Sequence, residues 1–310
     1  MRVVVTGASG FIGRHVVAAL VETGAEVVAL SRRRPVAGVA EWHAVDILGP
    51  EARKAAAGAE AIVHLAGLSD ASFSREDPFR YSQVNAQGTV NMLEAARAAG
   101  AFFVLASSQR IYEPGPLALA EDAPKRPADP YGFSKLAAEL WLRMYREVYG
   151  VQAVALRFFS VFGPGQGMAK GTSGVVSIFL RRAMAGEPLW VDGAKRGDFT
   201  NVSDVAGGIL AALEHRHDCR EAYNVATGIG TPLPDLARLV LAVTRSSSRI
   251  EERAETGPGR DLVADISLAR KDLGYSPKVA LAVGLARTYE WLSTVSEGAA
   301  ESTPDGDPTG

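Results

Sequence analysis

The chain has 310 residues, which is enough to bury a large core in one or two domains. Its hydrophobic fraction of 47%, charged fraction of 22% and net charge of -2 are ordinary for a globular protein and give no electrostatic case for nucleic acid or a membrane surface as partner. The single cysteine, Cys219, excludes an intrachain disulfide framework. We see no leader sequence, and no apolar run approaches the roughly 20 residues that a membrane span needs. We therefore expect a cytoplasmic protein.

The first predicted elements are a strand over the apolar run at residues 3–5, a glycine-rich turn over residues 6–13 and an amphipathic helix. The spacing G-x-x-G-x-x-G lets the backbone approach a pyrophosphate and points the N–H groups of a helix N-terminus at it. A strand–helix turn without a ligand is the alternative. Because the motif starts at residue 7 and opens a helix, we favour a dinucleotide site.

A second predicted strand, Glu26–Leu30, ends in the run Ser31-Arg32-Arg33-Arg34. At this point of a dinucleotide-binding unit an acidic residue accepts the ribose hydroxyls of NAD, whereas an arginine accommodates the 2′-phosphate of NADP. Arginines stand here in place of the acid. The sequence therefore predicts NADP, with NAD or a merely solvated basic turn as the alternatives.

Predicted strands over residues 42–45, 61–65 and 102–105 alternate with helices such as 85–99. This alternation is typical of an α/β protein with a doubly wound parallel sheet, the Rossmann arrangement. We expect His64, inside an apolar run, to be a packed strand residue and not a ligand. His215 and His217 lack metal-ligand spacing, so we predict no metal site.

Tyr131 and Lys135 lie four residues apart, on one face of a helix predicted over residues 131–149. A tyrosine with a pKa of about 10 is a poor base at neutral pH, and a lysine one turn away together with a nicotinamide cation would stabilise its phenolate. Ser108 follows a predicted strand, at the edge where such sheets bind cofactors. These residues predict proton exchange with a sugar hydroxyl while a hydride moves.

The same helix has two predicted apolar faces. One consists of Leu136, Leu140, Met144 and Val148, and the other of Ala137, Ala138, Trp141 and Tyr145. A helix with two apolar faces needs two partners, which we predict to be the sheet and a second subunit. The expected assembly is a homodimer built on the helices at 85–99 and 131–149.

The sequence resembles the extended short-chain dehydrogenase/reductases of the nucleotide-sugar epimerase/dehydratase family from residue 1 to about residue 291. The segments that carry the resemblance are residues 6–13, 64–67, 85–89, 107–108, 131–135, 156–165, 192–206, 223–225, 264–267 and 273–277. The resemblance implies a dinucleotide-binding domain at residues 1–162, to which 189–215 returns. It implies a smaller mixed α/β domain, from 163–188 and 216–295, that binds a nucleoside-diphosphate sugar. The composition of residues 296–310 predicts a disordered tail.

The resemblance also implies roles for individual residues. Ser108, Tyr131 and Lys135 would form the catalytic triad. The expected cofactor contacts are Gly7, Gly10, Phe11, Ile12, Ser31, Arg32, Arg33, Asp46, Ile47, Leu65, Ala66, Asn85, Tyr131, Lys135 and Phe158. The expected substrate contacts are Ser69, Ser108, Ser160, Arg196 and Arg260, the two arginines being suited to a diphosphate.

Departures from the family pattern narrow the reaction. Gln109 and Arg110 stand where dehydratases of the family carry an acid pair, which argues against a 4,6-dehydratase. Ser160 replaces the asparagine of many epimerases, and Arg196 precedes the usual phosphate-binding position by one residue. The prediction is an epimerase that passes through a 4-keto sugar. The alternatives are an NADPH-dependent reductase of a nucleotide-linked 4-keto sugar and, less favoured, a non-catalytic dinucleotide-binding protein.

Overall fold

The computed structural model describes residues 1–35, 38–115, 118–166, 174–193, 195–253 and 261–301. The strands are β1 (Arg2–Thr6), β2 (Glu26–Leu30), β3 (Glu41–His43), β4 (Ala61–His64), β5 (Phe102–Ser108), β6 (Ala153–Phe158), β7 (Leu189–Asp192), β8 (Arg196–Gly197), β9 (Ala222–Val225), β10 (Thr231–Pro232) and β11 (Ile250–Arg253). The helices are α1 (Phe11–Glu22), α2 (Pro50–Ala55), α3 (Pro78–Tyr81), α4 (Gly88–Ala99), α5 (Pro130–Tyr149), α6 (Val175–Met184), α7 (Val202–Glu214), α8 (Leu233–Thr244), α9 (Ser267–Leu273) and α10 (Leu281–Glu301). A π-helical turn, Ser82–Gln87, leads directly into α4.

The centre of the molecule is a parallel sheet with the strand order β3-β2-β1-β4-β5-β6-β9. Its middle strands are buried along nearly their whole length and carry continuous apolar runs, because helices cover both faces of the sheet. This confirms the predicted doubly wound α/β class. The strand order reverses between β1 and β4, and open sheets of this kind bind ligands at the carboxyl ends of the strands around such a switch point.

Two apolar cores lie on opposite faces of the sheet, since successive side chains of a strand point to opposite sides. Val3 and Val5 of β1 share one core with residues of α1 and α7, whereas Val4 lies in the other with residues of α4 and α5. A third core joins α6, β7, α8 and α10, with Phe179, Leu236 and Leu285 among its members. This third core belongs to the smaller C-terminal part of the fold.

The structure places some segments differently from the predicted domain boundaries. β9 pairs with β6 in the central sheet, and Ala269 and Leu273 of α9 pack in the core beneath it, although both segments lie in the predicted substrate part 216–295. Within the segment 189–215, α7 packs on the central sheet, whereas Leu189 and Val191 of β7 lie in the third core. α10 continues past residue 296 to Glu301, and residues 302–310 lie outside the described residues.

The predicted division of α5 into two apolar faces is wrong. Leu140 and Val148, which we assigned to the face against the sheet, are 49% and 64% exposed, while Ala138 and Tyr145 of the assigned subunit face are packed in the core. The buried face also carries the charged residues Lys135 and Glu139, which are hydrogen-bonded to β5. The two faces chosen from the sequence therefore do not match the face that the helix buries.

In the part of the chain that the structure describes, none of the helices combines the length and the apolar character needed to cross a membrane.

Candidate active site

The glycine turn follows β1 at the switch point of the sheet. Gly7 has a φ of +68°, and a Cβ atom there would lie 2.8 Å from the backbone nitrogen of Ala66, at the end of the neighbouring strand β4. Glycine is therefore required for this close approach. Gly10 is the N-cap of α1, and because it is a glycine it offers no side chain to cap the N–H groups of the first turn. The backbone N–H groups at Phe11 and Ile12 are thus placed to bind a pyrophosphate, and the turn fits a dinucleotide.

The edge of β4 completes this part of the site. The Ala66 backbone nitrogen donates a 3.1 Å hydrogen bond to the Thr6 hydroxyl, which ties the segment after β4 to the end of β1. His64, at the end of β4, is buried and lies 2.8 Å from the same hydroxyl through Nδ1, so the expectation of a packed strand residue is confirmed. The structure thus brings Leu65 and Ala66 beside the glycine turn.

The turn after β2 is stabilised by short polar contacts. The buried Ser31 hydroxyl donates a 2.6 Å hydrogen bond to the Arg33 carbonyl, and the Trp42 indole nitrogen donates to the Ser31 carbonyl at 3.3 Å. The Arg34 guanidinium lies 5.8 Å from the centre of the Trp42 ring. Arg32 and Arg33 are exposed at the carboxyl edge of the sheet. Ser31 is thus a support for the turn that presents the two arginines.

Asp46 and Ile47 follow β3, next to this turn in the sheet. The Asp46 carboxylate accepts a 2.9 Å hydrogen bond from the Leu48 nitrogen, and the Ile47 carbonyl accepts one of 2.6 Å from the Asn91 side chain. These contacts fix the backbone after β3 at the predicted cofactor edge.

Ser108, Tyr131 and Lys135 converge where the end of β5 meets the start of α5. Asp129 caps α5 by accepting a 2.8 Å hydrogen bond from the Gly132 nitrogen, which sets the first turn and with it Tyr131. The Lys135 ammonium donates a 2.8 Å hydrogen bond to the Ala106 carbonyl in β5. All three predicted catalytic side chains are buried.

Burial dominates the electrostatics of these groups. It raises the pKa of the Tyr131 phenol, while a hydrogen bond with the Ser108 side chain and the positive charge of Arg110 lower that pKa. Burial also lowers the pKa of Lys135 to about 8, against the opposing charge of Glu139. Perturbed values of this kind, gathered at the edge of a sheet, are typical of catalytic sites.

Asn85 links the segment after β4 to the catalytic helix. Its side chain accepts a 2.8 Å hydrogen bond from the Leu68 nitrogen and donates one of 2.9 Å to the Ser134 hydroxyl, which itself donates to the Tyr131 carbonyl. Asn85 lies in the π-helical turn, a feature frequent at functional sites. Sequence reasoning placed Asn85 in the site but missed Ser134.

The predicted substrate residues are spread more widely. The Ser160 hydroxyl accepts a 3.1 Å hydrogen bond from the side-chain amide of Gln109, the residue after Ser108, and Phe158 ends the neighbouring strand β6. Ser69 is exposed in the segment after β4. Arg196 is exposed on β8, in a two-stranded sheet with β10, and its backbone nitrogen donates to Asp261 at 2.8 Å. Arg260 lies outside the described residues.

Sequence reasoning missed a buried polar group beneath the catalytic residues. Its members are Ser107, Glu139 and Arg157, all of them buried. A signal for two of them was present. Glu139 follows Lys135 by the same four residues that separate Lys135 from Tyr131, and Arg157 is a charged residue inside the apolar strand β6.

Among the described residues, no group of histidine, cysteine, aspartate and glutamate side chains is arranged to hold a metal ion.

A glycine turn at the switch point of a doubly wound sheet, with a buried tyrosine, lysine and serine beside it, defines a dinucleotide-dependent enzyme of the short-chain dehydrogenase/reductase class. The sequence profile of the NAD dependent epimerase/dehydratase family matches residues 3–226, and the chain belongs to this family. The predicted family and enzyme class are thereby confirmed.

Similar proteins extend the match over nearly the whole chain. The UDP-glucose 4-epimerase of Mycolicibacterium smegmatis is 33% identical over 96% of this chain and 100% of its own. The UDP-glucose 4-epimerase of Thermotoga maritima, solved with UDP-glucose, is 28% identical with a TM-score of 0.86, covering 96% of this chain and 100% of that one. The Thermus thermophilus UDP-glucose 4-epimerase, solved with NAD, is 30% identical with a TM-score of 0.83, covering 94% and 99% of the two chains.

Proposed function

We propose that the protein is a nucleotide-sugar 4-epimerase that acts on a UDP-linked sugar through reversible hydride transfer. The observation that carries the proposal is the convergence of Ser108, Tyr131 and Lys135 beside the glycine turn. The names of the three relatives reported above, each a UDP-glucose 4-epimerase, support the epimerase over the reductase alternative. The presence of all three catalytic side chains argues against a non-catalytic dinucleotide-binding protein.

The chain's own residues would handle the proton of the reaction. Tyr131 removes the proton of the C4 hydroxyl, Ser108 hydrogen-bonds the same oxygen, and Lys135 supplies a positive charge one turn along α5. The nicotinamide dinucleotide, when bound at the glycine turn, supplies a reversible acceptor for the C4 hydride. The resulting 4-keto sugar must turn over before the hydride returns to its other face. Tyr131 then gives the proton back to the oxygen at C4, so no net reductant is consumed.

To test this function, the purified protein is incubated with a panel of UDP-, dTDP-, GDP- and CDP-hexoses and uronic acids without added reductant. NMR follows the stereochemistry of each sugar. An epimerase interconverts C4 epimers while the NADPH absorbance stays constant. A protein that changes none of these sugars, and that consumes NADPH only when NADPH and a 4-keto sugar are supplied together, is a reductase and not an epimerase.

For the cofactor, membership of an NAD-dependent family supports a nicotinamide dinucleotide, and we propose that it binds at the glycine turn with a preference for NADP. The support is the turn after β2, where Arg32 and Arg33 are exposed in place of the expected acid. The Thermus thermophilus relative was solved with NAD, so the proposed NADP preference rests on residues 31–34 of this chain and not on the relative.

Arg32→Asp is expected to weaken NADP binding about tenfold or more, because a charged hydrogen bond to a phosphate is worth about 1.5–3 kcal/mol. Calorimetric titration of both dinucleotides measures the effect. Arg34→Asp is the matched control, since it makes the same charge change at a guanidinium that packs on Trp42. Tighter binding of NAD than of NADP by the wild-type protein would contradict the preference.

We further propose a homodimer that covers the outer face of α5. The support is a stripe of exposed apolar side chains on this helix, which includes Phe133, Leu140, Trp141 and Val148, next to the exposed Phe79 of α3. Contiguous exposed apolar surface of this kind marks interaction sites. A cytoplasmic location also stays a prediction, which rests on the cysteine count.

Trp141→Glu is expected to give monomers, because it places a charge inside the proposed contact. Light scattering at micromolar concentration measures the mass, and Ile229→Glu is the control at an exposed apolar side chain outside α5. A wild-type protein that is already monomeric at this concentration would refute the dimer.

A further inference from the structure

A buried ion pair lies directly below the catalytic residues of α5. Glu139 and Arg157 are 4% and 2% exposed, and Ser107 beside them is 3% exposed. Glu139 continues the spacing of Tyr131 and Lys135 along α5, so the three side chains lie one above the other on the same face of the helix.

Three consecutive residues at the end of β5 hold these three side chains. The Ala106 carbonyl accepts the hydrogen bond from Lys135 at 2.8 Å, and the Ser107 hydroxyl donates to the Glu139 carboxylate at 2.5 Å. Ser108 is hydrogen-bonded to Tyr131. Glu139 is therefore the third of three links between the catalytic face of α5 and the end of β5.

Arg157 holds the other side of the carboxylate. It lies opposite Ser107 in the register of β6 on β5 and donates to the two carboxylate oxygens at 3.0 and 2.8 Å. Its remaining nitrogen donates to the Tyr112 hydroxyl and the Glu121 carbonyl, both at 2.7 Å. The Glu139 side chain is thus fixed from two strands. Such a pair adds little net stability, because desolvation offsets the attraction.

We propose that Glu139 is a positioning residue of the active site, which locks the catalytic face of α5 onto the end of β5 and keeps a negative charge beside the Lys135 ammonium. The proposal rests on the proposed function for the roles of Tyr131 and Lys135. It adds to that function a residue that contacts neither substrate nor cofactor and acts through Lys135.

Other titratable groups packed near Lys135 and Glu139 bear on how strongly the Glu139 charge acts on Lys135. His64 of β4 is neutral, because burial and the Lys135 charge lower its pKa to about 3. Burial raises the pKa of Tyr131 on α5 and of Tyr112 next to Arg157. Lys125, in the segment before α5, has its pKa lowered by burial and then by the Arg157 charge. In the described part of the chain, Glu139 is the acid whose charge raises the pKa of Lys135.

The protonation of Lys135 determines the direction in which activity changes with pH. Burial lowers its pKa to about 8, and the Glu139 charge opposes that shift. Lys135 acts as a cation, so its contribution is lost as the pH rises through this pKa. Removal of the Glu139 charge lowers the pKa further, and the loss of activity then begins at a lower pH.

The test is the pH profile of kcat in Glu139→Gln and Glu139→Asp, normalised to the content of folded, cofactor-loaded protein. The alkaline limb is expected to move to lower pH in the glutamine variant, and a midpoint lowered by about one pH unit reduces kcat near pH 8 about fivefold. KM for the nucleotide sugar should stay unchanged. The aspartate variant keeps the charge and should restore the position of the limb. An unmoved limb in the glutamine variant overturns the proposal.

A second variant covers the case in which Glu139→Gln does not fold, since an unpaired charge at the buried Arg157 is strongly destabilising. The double variant Glu139→Gln/Arg157→Met leaves no unpaired charge, and it should show the same movement of the alkaline limb. A wild-type limb in the folded double variant overturns the proposal equally.

Ser107→Ala tests the link to β5 separately, because it leaves the ion pair intact. We expect kcat to fall several-fold with an unchanged KM and an unchanged alkaline limb. The control is Thr288→Val, which removes a buried hydroxyl bonded within α10, far along the chain from the catalytic residues. If Ser107→Ala matches this control in kcat, the positioning role is overturned.

A measurement without substrate separates this proposal from the proposed function. The titration of Lys135 is followed by NMR of lysine-labelled holoenzyme, with Lys135→Met assigning the signal. The proposal predicts a lower Lys135 pKa in Glu139→Gln than in the wild type, whether or not any sugar is epimerised. An inactive wild type with this shift refutes only the function, whereas equal Lys135 titrations refute the role of Glu139.

Discussion

Tyr131→Phe is expected to lose about 10²–10⁴-fold in turnover, the usual worth of a general acid–base group. The substitution removes the phenolic oxygen that hydrogen-bonds Ser108 and that we propose exchanges the proton with the sugar. It keeps the ring, which packs edge-on against Tyr81 with 6.3 Å between the ring centres. The fold and the dinucleotide affinity should therefore survive, so the loss should appear in kcat.

The measurement is the rate of C4 epimer interconversion by NMR, together with calorimetric titration of the dinucleotide. Tyr145→Phe is the matched control on the same helix, where the hydroxyl donates a 2.5 Å hydrogen bond to Glu94. This control should cost about 1 kcal/mol of stability and little turnover. Turnover of Tyr131→Phe within a few-fold of the wild type would remove Tyr131 from the catalytic role.

Gly13→Ala should weaken both the fold and dinucleotide binding. A Cβ at Gly13 would overlap the carbonyl oxygen of Gly7 and lie 2.9 Å from the Cα of Ala8, so the glycine turn has to move away from α1. Overpacking of this kind costs about 1–3 kcal/mol. Because the displaced segment is the proposed pyrophosphate site, the dinucleotide affinity should fall together with the melting temperature.

Gly207→Ala is the matched control, a glycine inside α7 at which an added Cβ meets no atom within 4 Å. Alanine is the better helix former by about 1 kcal/mol, so this control should be neutral or stabilising. Thermal unfolding and calorimetric titration compare the two variants. Equal dinucleotide affinity in Gly13→Ala and the wild type would show that the close approach of Gly7 and Gly13 is not needed for binding.

The parts of the site that the sequence predicts are those with local signals. β1, the glycine turn and α1 follow one another within the first 22 residues. The sequence shows the apolar pattern of the strand, and it shows a glycine at position 7, where the backbone has a positive φ. The spacing of Tyr131 and Lys135 on one helix is equally local. The doubly wound class follows from repeated strand–helix alternation, which needs no knowledge of the pairing.

The parts that the sequence does not predict depend on contacts between distant segments. β9 joins the central sheet beside β6, so its place depends on a pairing across more than 60 residues that no local pattern encodes. The buried face of α5 likewise depends on its partner in the sheet. Lys135 and Glu139 on this face are hydrogen-bonded to β5, next to the apolar Ala138 and Leu142. Arg157 is buried because Glu139 neutralises it, and the two are 18 residues apart in the chain.

The most direct test of the account follows the hydrogen at C4. The nucleotide sugar that the NMR panel identifies is deuterated at C4 and incubated with the wild-type protein and no added reductant. Reversible transfer within one active site predicts both C4 epimers, each with the deuterium still at C4 and none in the solvent. Loss of the label to solvent, or epimers that form equally fast with Tyr131→Phe, would contradict the account.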